Sequence, residues 1–245
     1  MPERPSPQSE DFNLSLHNVK AAPGPSDESL EVILVTSRGD ISGVFHPVQG
    51  GFGAVICVGG AMGGLDGPAR GLFARLPGLL MAKSVSILRL EYREPNVFEE
   101  CVLDVLAGCS FLKGIGATDV VLIGHSFGGA VVVKAGALHP LVCAVVSLCP
   151  QLYGTGQVEE MPRPLLLVHG SADEVLGSEA SEDIYQRASD PKQLVIYGDA
   201  DHSLETVAEQ LDHLLNQWVD ARLQGLPMES VRTVEWPSGS GFGGR

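Results

Sequence analysis

The chain has 245 residues, of which 44% are hydrophobic and 6% aromatic, and it carries a formal net charge of −14 at pH 7. This length and composition predict one globular α/β domain and exclude a disordered chain. The negative charge argues against nucleic acid and against an anionic membrane, because phosphates would repel such a surface.

The cysteines and the N-terminal sequence favour a cytoplasmic protein. The cysteines are odd in number and lie in apolar segments, which predicts reduced core thiols and a cytoplasmic location. There is no CxxC or HExxH pattern, no apolar core of a signal peptide and no run long enough to span a membrane, so neither a metal nor a membrane is expected. The cysteines are Cys57, Cys101, Cys109, Cys143 and Cys149.

Both ends of the chain are rich in Pro, Ser or Gly. Residues 1–27 and 225–245 are therefore predicted to be poorly ordered, with one domain at 28–224 between them. The domain opens with two apolar runs, 30–37 and 41–47, separated by Arg-Gly-Asp. A turn between two such runs predicts an antiparallel hairpin.

Further apolar runs follow along the chain at near-regular intervals. Continuous Val, Ile and Leu content is typical of parallel strands that helices cover on both faces. The alternation with helical patterns predicts a doubly wound, mostly parallel α/β sheet that begins with the antiparallel hairpin. The predicted parallel strands are 54–58, 85–90, 120–123, 142–149, 165–169 and 193–197.

The intervening helices carry start and stop signals. Asn96, with Glu99 three residues later, is predicted to cap a helix that ends at Gly114. The last helix should begin after Ser203 and end near residue 225. Pro77 is expected to break or kink the segment that follows Asp66.

The sequence Gly124-His125-Ser126-Phe127-Gly128-Gly129 stands between a predicted strand and a predicted helix. A Gly-x-Ser-x-Gly turn in this position predicts a nucleophile elbow, which lifts the serine hydroxyl out at the edge of the sheet. The first N–H groups of the helix then point at developing negative charge. Ser126 is therefore the predicted nucleophile, and the N–H of Phe127 is a predicted oxyanion-hole donor.

Two more reactive side chains follow later strands. Asp173 comes just after the run at 165–169, and His202 follows the run at 193–197. The carboxyl ends of parallel strands meet at one edge of a sheet, so both side chains should lie near Ser126. His202 is the predicted base and Asp173 the acid that orients it, with Glu174 as the alternative acid.

The glycine-rich segment 59–64 follows the first parallel strand. Small residues allow the backbone to approach a reacting carbonyl, so Ala61 is predicted to give the second oxyanion-hole N–H, with Met62 next in order. A dinucleotide-binding loop is the competing interpretation. It is disfavoured because Ala61 stands where the G-x-G-x-x-G pattern requires its second glycine.

Two histidines near these motifs are predicted to be structural. His125 adjoins the nucleophile, but a tight turn aims adjacent side chains apart, so it is interpreted as a packing residue rather than a second base. His169 is interpreted as a strand-end histidine that is hydrogen-bonded locally.

These motifs resemble those of the α/β-hydrolase superfamily, especially its small dienelactone-hydrolase-like and esterase-like members. The resemblance covers residues 30–224 and rests on the elbow, on His-Gly-Ser-Ala-Asp173 and on Gly-Asp-Ala-Asp-His202. It implies the α/β-hydrolase fold and a Ser-Asp-His triad. Gly59-Gly60 replaces the His-Gly of many members, and Ser126 replaces the cysteine of dienelactone hydrolases, which makes a dienelactonase an improbable function.

Many relatives insert a helical cap before the seventh strand, but residues 151–163 are too few to build one. The predicted site is therefore open, with Met62, Leu152 and Tyr153 as substrate contacts. The expected function is cofactor-independent cleavage of esters or thioesters of small-molecule acyl substrates, without much restriction on size. A peptidase or acyltransferase on the same triad and a non-catalytic binding protein are the alternatives, and either a monomer or a homodimer is compatible with the sequence.

Overall fold

The computed structural model describes residues 13–228. Within them nine strands form a single sheet. The strands are β1 (Leu16–Pro23), β2 (Leu30–Thr36), β3 (Gly39–His46), β4 (Gly53–Val58), β5 (Val85–Leu90), β6 (Asp119–His125), β7 (Val142–Leu148), β8 (Leu165–Gly170) and β9 (Lys192–Tyr197). The helices are α1 (Pro68–Leu80), α2 (Phe98–Gly114), α3 (Phe127–Leu138), α4 (Glu179–Arg187) and α5 (Ala208–Leu223).

The sheet has the predicted mixed topology. Its strand order is β1-β2-β3-β5-β4-β6-β7-β8-β9. The pairs from β1 to β3 and the β3–β5 pair are antiparallel, whereas β5, β4 and β6 to β9 run parallel. One core cluster lies beneath α2, α3 and α4, and a second lies beneath α1 and α5. Helices therefore cover both faces, and the carboxyl ends of the parallel strands share one edge.

The strand β1 corrects the predicted boundary of the domain, because it lies inside the segment 1–27 that was expected to be poorly ordered. It pairs antiparallel with β2 and so extends the hairpin to three strands. Most of its side chains are exposed, so its sequence lacks the hydrophobic alternation of a half-buried strand. Backbone pairing with β2 forms it instead. Residues 1–12 and 229–245, which complete the two predicted terminal segments, lie outside the described residues.

The start of α2 also differs from its prediction. Asn96 has a left-handed φ of 68° and does not cap the helix. The N-cap position belongs to Val97, and the helix begins at Phe98. The turn at Asn96 brings the Phe98 ring into the core, 5.9 Å from the Phe127 ring, so packing sets this boundary. The helix ends at Gly114, as predicted.

The helix α1 continues through Pro77, contrary to the expected break. The proline side chain is buried, so packing offsets the backbone hydrogen bond that it cannot donate. The backbone departs from helical geometry earlier, at Ala69, Arg70 and Gly71, whose φ angles of 52°, 60° and 81° form a left-handed turn. This turn faces the candidate site.

The connection between β7 and β8 was predicted to be too short for a cap. Between β7 and β8 the chain forms a short 3-10 turn, Val158–Glu160, and no cap domain is inserted.

All five cysteines are free thiols, and all except the half-buried Cys143 are buried. Among residues 13–228, no helix is long and apolar enough to cross a membrane.

Candidate active site

The turn from β6 into α3 has the geometry of a nucleophile elbow. Ser126 adopts φ 58° and ψ −119°, a strained conformation for a residue with a side chain. A Cβ at Gly124 would lie 2.1 Å from the Gly128 carbonyl oxygen, and one at Gly128 would lie 2.2 Å from the Gly59 carbonyl oxygen. Glycine is therefore required on both sides of Ser126, as the motif predicts.

The loop after β4 passes beside the elbow. A Cβ placed on Gly60 would lie 3.7 Å from the Ser126 Cβ, and the loop is closed by a hydrogen bond of 2.9 Å from the Gly63 N–H to the Gly60 carbonyl oxygen. Ala61 lies within this turn. Phe127 is the first residue of α3, where a backbone N–H has no partner inside the helix. Phe127 therefore follows Ser126 directly, and Ala61 belongs to the loop that approaches Ser126 through Gly60.

Asp173 and His202 meet at the same edge of the sheet. Asp173 Oδ2 accepts a hydrogen bond of 2.6 Å from His202 Nδ1. Its Oδ1 accepts hydrogen bonds from the N–H groups of Val175 at 2.9 Å and Leu176 at 2.8 Å. Burial alone would raise the pKa of Asp173, but these hydrogen bonds outweigh it and hold the pKa below its usual value. The carboxylate is therefore ionised, and it orients the His202 ring through Nδ1.

The structure does not join all three predicted triad members. Within residues 13–228, no hydrogen bond connects the Ser126 hydroxyl to His202. Catalytic hydrogen bonds in ligand-free enzymes are often long and tighten when substrate binds. The elbow and the Asp173–His202 pair are thus geometric findings, whereas the role of each residue remains a prediction.

The two neighbouring histidines have defined partners. His169 is fully buried, and its ring contacts Ser181 Oγ at 2.7 Å, the Leu176 carbonyl oxygen at 2.8 Å and Asp173 Oδ2 at 3.2 Å. The predicted local bonding of His169 is therefore confirmed. His125 does more than the predicted packing, because its Nε2 lies 2.9 Å from the His202 carbonyl oxygen. The sequence offers no signal for this contact beyond the position of His125 next to Ser126.

A cleft of about 840 Å³ opens beside His202. Its walls come from the loops 59–71, 172–175 and 201–205, and the His125 ring contributes to its lining. The predicted substrate contacts Met62, Leu152 and Tyr153 are exposed and do not line this cleft. Leu152 and Tyr153 instead follow Gln151, whose N–H lies 3.4 Å from the Ser126 carbonyl oxygen.

Some of these side chains could also bind a metal ion. The potential ligand atoms of His125, Cys149 and His202 lie within 4.8 Å of one another. Burial raises the pKa of the Cys149 thiol to about 12, which disfavours the thiolate that a metal requires. His202 Nδ1 is already bonded to Asp173. Both observations disfavour metal binding by this cluster.

Comparison with known proteins gives the family and the fold. Residues 66–238 match the family model described as "Alpha/beta hydrolase family". The uncharacterized protein YfhR of Escherichia coli is 46% identical over 41 residues, which are 17% of this chain and only 14% of that protein.

Two solved structures are similar over most of their length. Est1E from Butyrivibrio proteoclasticus has a TM-score of 0.66 and 16% identity, over 76% of this chain and 95% of its own. XC6422 from Xanthomonas campestris, described as a serine hydrolase without a lid, has a TM-score of 0.64 and 19% identity. The match covers 82% of this chain and 97% of XC6422. At these identities the likeness shows a shared fold.

Proposed function

Because the chain belongs to the alpha/beta hydrolase family, we propose that it is a serine hydrolase that cleaves carboxylic esters or thioesters through an acyl-enzyme. The observation that carries the proposal is the 2.6 Å hydrogen bond between His202 and Asp173 at the sheet edge where the elbow places Ser126. An ionised acid, an oriented imidazole and a strained serine turn together provide the parts that acyl transfer requires.

The proposed reaction has two steps. His202 Nε2 takes the hydroxyl proton as Ser126 Oγ attacks the carbonyl carbon, and Asp173 stabilises the imidazolium that forms. The N–H groups of Phe127 and Ala61 stabilise the oxyanion. The tetrahedral species collapses, the bond to the leaving group breaks, and His202 returns the proton to that group. Water then attacks the acyl-enzyme by the same route and releases the acid.

The open cleft and the exposed apolar side chains near the elbow indicate what kind of substrate the site could accept. No cap covers the cleft, so the site is open and is proposed to accept acyl substrates without strong selection for size. Met62, Leu152 and Tyr153 lie outside the cleft lining, but their exposed apolar side chains stand on loops that approach the elbow, and they are proposed to contact the part of the acyl group that extends beyond the cleft. A panel of esters and thioesters with the same graded acyl chains, assayed on the purified protein, would identify the leaving group and the chain length.

Labelling with a fluorophosphonate tests the proposal directly. The wild-type protein should be labelled stoichiometrically, measured by intact mass, because an activated serine attacks phosphorus as it attacks a carbonyl. Ser126→Ala should abolish the label and lower ester hydrolysis by about 10⁶-fold. Ser110→Ala, which removes an exposed hydroxyl on α2, is the matched control and should be labelled like the wild type. A folded wild-type protein that remains unlabelled would instead support a non-catalytic binding protein.

A further inference from the structure

His125 links the strand that carries the proposed nucleophile to the loop that carries the proposed base. Its Nε2 lies 2.9 Å from the carbonyl oxygen of His202, and the two imidazole rings are 4.8 Å apart between centroids. Ser126 follows His125 directly in the chain, so this hydrogen bond spans the two halves of the site. Within residues 13–228, the structure shows no other hydrogen bond between residues 124–129 and the loop 200–203.

The carbonyl acceptor determines which ring nitrogen of His125 carries a proton. A carbonyl oxygen only accepts hydrogen bonds, so Nε2 must carry the proton and donate it. Burial lowers the pKa of His125 to about 4, although its bond to the His202 carbonyl opposes that shift. The titratable groups near it are His202, Asp173, His169 and the Cys149 thiol. His125 is therefore a neutral donor at neutral pH and does not compete with His202 for protons.

The loop 200–203, which carries His202, makes its other backbone hydrogen bonds to segments away from the elbow. The Ala69 N–H binds the Ser203 carbonyl oxygen at 2.7 Å, and the Ala172 N–H binds the Ala200 carbonyl oxygen at 2.9 Å. These bonds attach the loop to the first turn of α1 and to the loop after β8 rather than to the elbow. Asp173 fixes one nitrogen of the His202 ring. The bond from His125 fixes the backbone of His202 relative to the strand of Ser126.

We propose that His125 is a positioning residue that fixes the backbone of His202 relative to the strand that carries Ser126, so that the imidazole can reach the hydroxyl when substrate binds. The inference rests on the proposed function of the site. His125 exchanges no proton with substrate and acts through the His202 backbone. An error of about 1 Å in the position of a catalytic group can lower a rate about 100-fold, so one hydrogen bond at this place matters.

Two substitutions of His125 distinguish the effect of its hydrogen bond on kcat from the effect of its ring packing. His125→Phe keeps an aromatic ring but removes the donor, and His125→Gln places an amide N–H at a similar reach. For a chromogenic acetyl ester, we expect His125→Phe to lower kcat about tenfold with KM changed less than about twofold. His125→Gln should recover kcat to within about threefold of the wild type. An unchanged kcat in His125→Phe, or equal losses in both variants, would overturn the proposal.

The pH profile distinguishes positioning from a second base. If His125 only positions His202, the acid limb of the kcat/KM profile keeps its midpoint in both variants. A shifted midpoint in His125→Phe would show that His125 itself titrates during turnover and would contradict the proposal. Thermal unfolding midpoints close to the wild-type value would establish that both variants are folded.

A readout without turnover keeps this test separate from the proposed function. The proton between His202 and Asp173 should give a downfield NMR resonance in the wild type, because the bond is short at 2.6 Å. We expect that resonance to broaden in His125→Phe and to persist in His125→Gln. If the wild type hydrolyses no ester, the proposed function fails, while this resonance still decides whether His125 positions His202.

Discussion

At the scale of single residues, Asp173 is the most completely bonded group of the candidate site. Its side chain is fully buried, and it accepts hydrogen bonds from two backbone N–H groups and from His202, with His169 at 3.2 Å. Glu174, the alternative acid, is exposed and lines the cleft. The surroundings therefore favour Asp173 as the partner of the base, because its charge is stabilised where the imidazolium would form.

Substitution of the two acidic residues tests this assignment. Asp173→Asn should lower kcat by about 10³- to 10⁴-fold, because an amide no longer stabilises the imidazolium or fixes its tautomer. Glu174→Gln should lower it by less than about threefold. Steady-state rates on one chromogenic ester measure both changes. If Glu174→Gln proved the more damaging change, the role of the acid would pass to Glu174.

At the scale of secondary-structure elements, a buried charge network joins α2 to the strands. Asp104 of α2 is fully buried and pairs with Arg93, whose side chain is 4% exposed. Arg93 also donates to Glu100 Oε2 at 2.8 Å and to the Arg38 carbonyl oxygen at 2.9 Å. The network connects α2, the loop after β5 and the β2–β3 turn. It holds the helix against the antiparallel end of the sheet, away from the proposed chemistry.

Removal of Asp104 should therefore destabilise the fold. In Asp104→Ala the buried Arg93 guanidinium loses one charged partner but keeps Glu100 and the Arg38 carbonyl oxygen, so the free energy of unfolding should fall by about 1–3 kcal/mol. Glu99→Ala, an exposed change in the first turn of the same helix, should cost less than about 1 kcal/mol. Urea unfolding at constant pH measures both. Equal stabilities of the two variants would show that the buried pair is not needed for stability.

At the scale of the whole molecule, the negative charge extends into the cleft. The net charge is −14. Charged side chains of the cleft lining are the carboxylates of Asp66, Glu174, Asp201 and Glu205 and the guanidinium of Arg70. A cleft lined mostly by one sign of charge repels ligands of the same sign and slows their association. Anionic acyl substrates should therefore be disfavoured.

The prediction is testable with two esters of similar size. A p-nitrophenyl ester of a neutral acyl chain should have a kcat/KM about tenfold above that of an ester whose chain ends in a carboxylate, at low ionic strength. The ratio should shrink as salt is added, because salt screens exposed charges. Glu174→Gln should narrow the ratio, whereas Glu28→Gln, exposed and outside the cleft lining, should leave it unchanged. Faster hydrolysis of the anionic ester at low salt would contradict this account.

Local patterns in the sequence were enough for the parallel strands, the end of α2, the last helix and the elbow at Ser126. Each of these features depends on residues close together in the chain, such as a run of β-branched side chains or a glycine beside a serine. The order of strands and helices then placed Asp173 and His202 at one edge of the sheet, because parallel strands end on the same side.

The tertiary structure decided the features whose partners are distant in sequence. The strand β1 is mostly exposed and forms by pairing with β2, so its side chains carry little signal. The bond from His125 reaches a residue 77 positions away, and the Arg93–Asp104 pair depends on how α2 packs. A hydrogen bond between distant residues leaves no periodic pattern in the chain, and only the folded arrangement of strands and loops creates it.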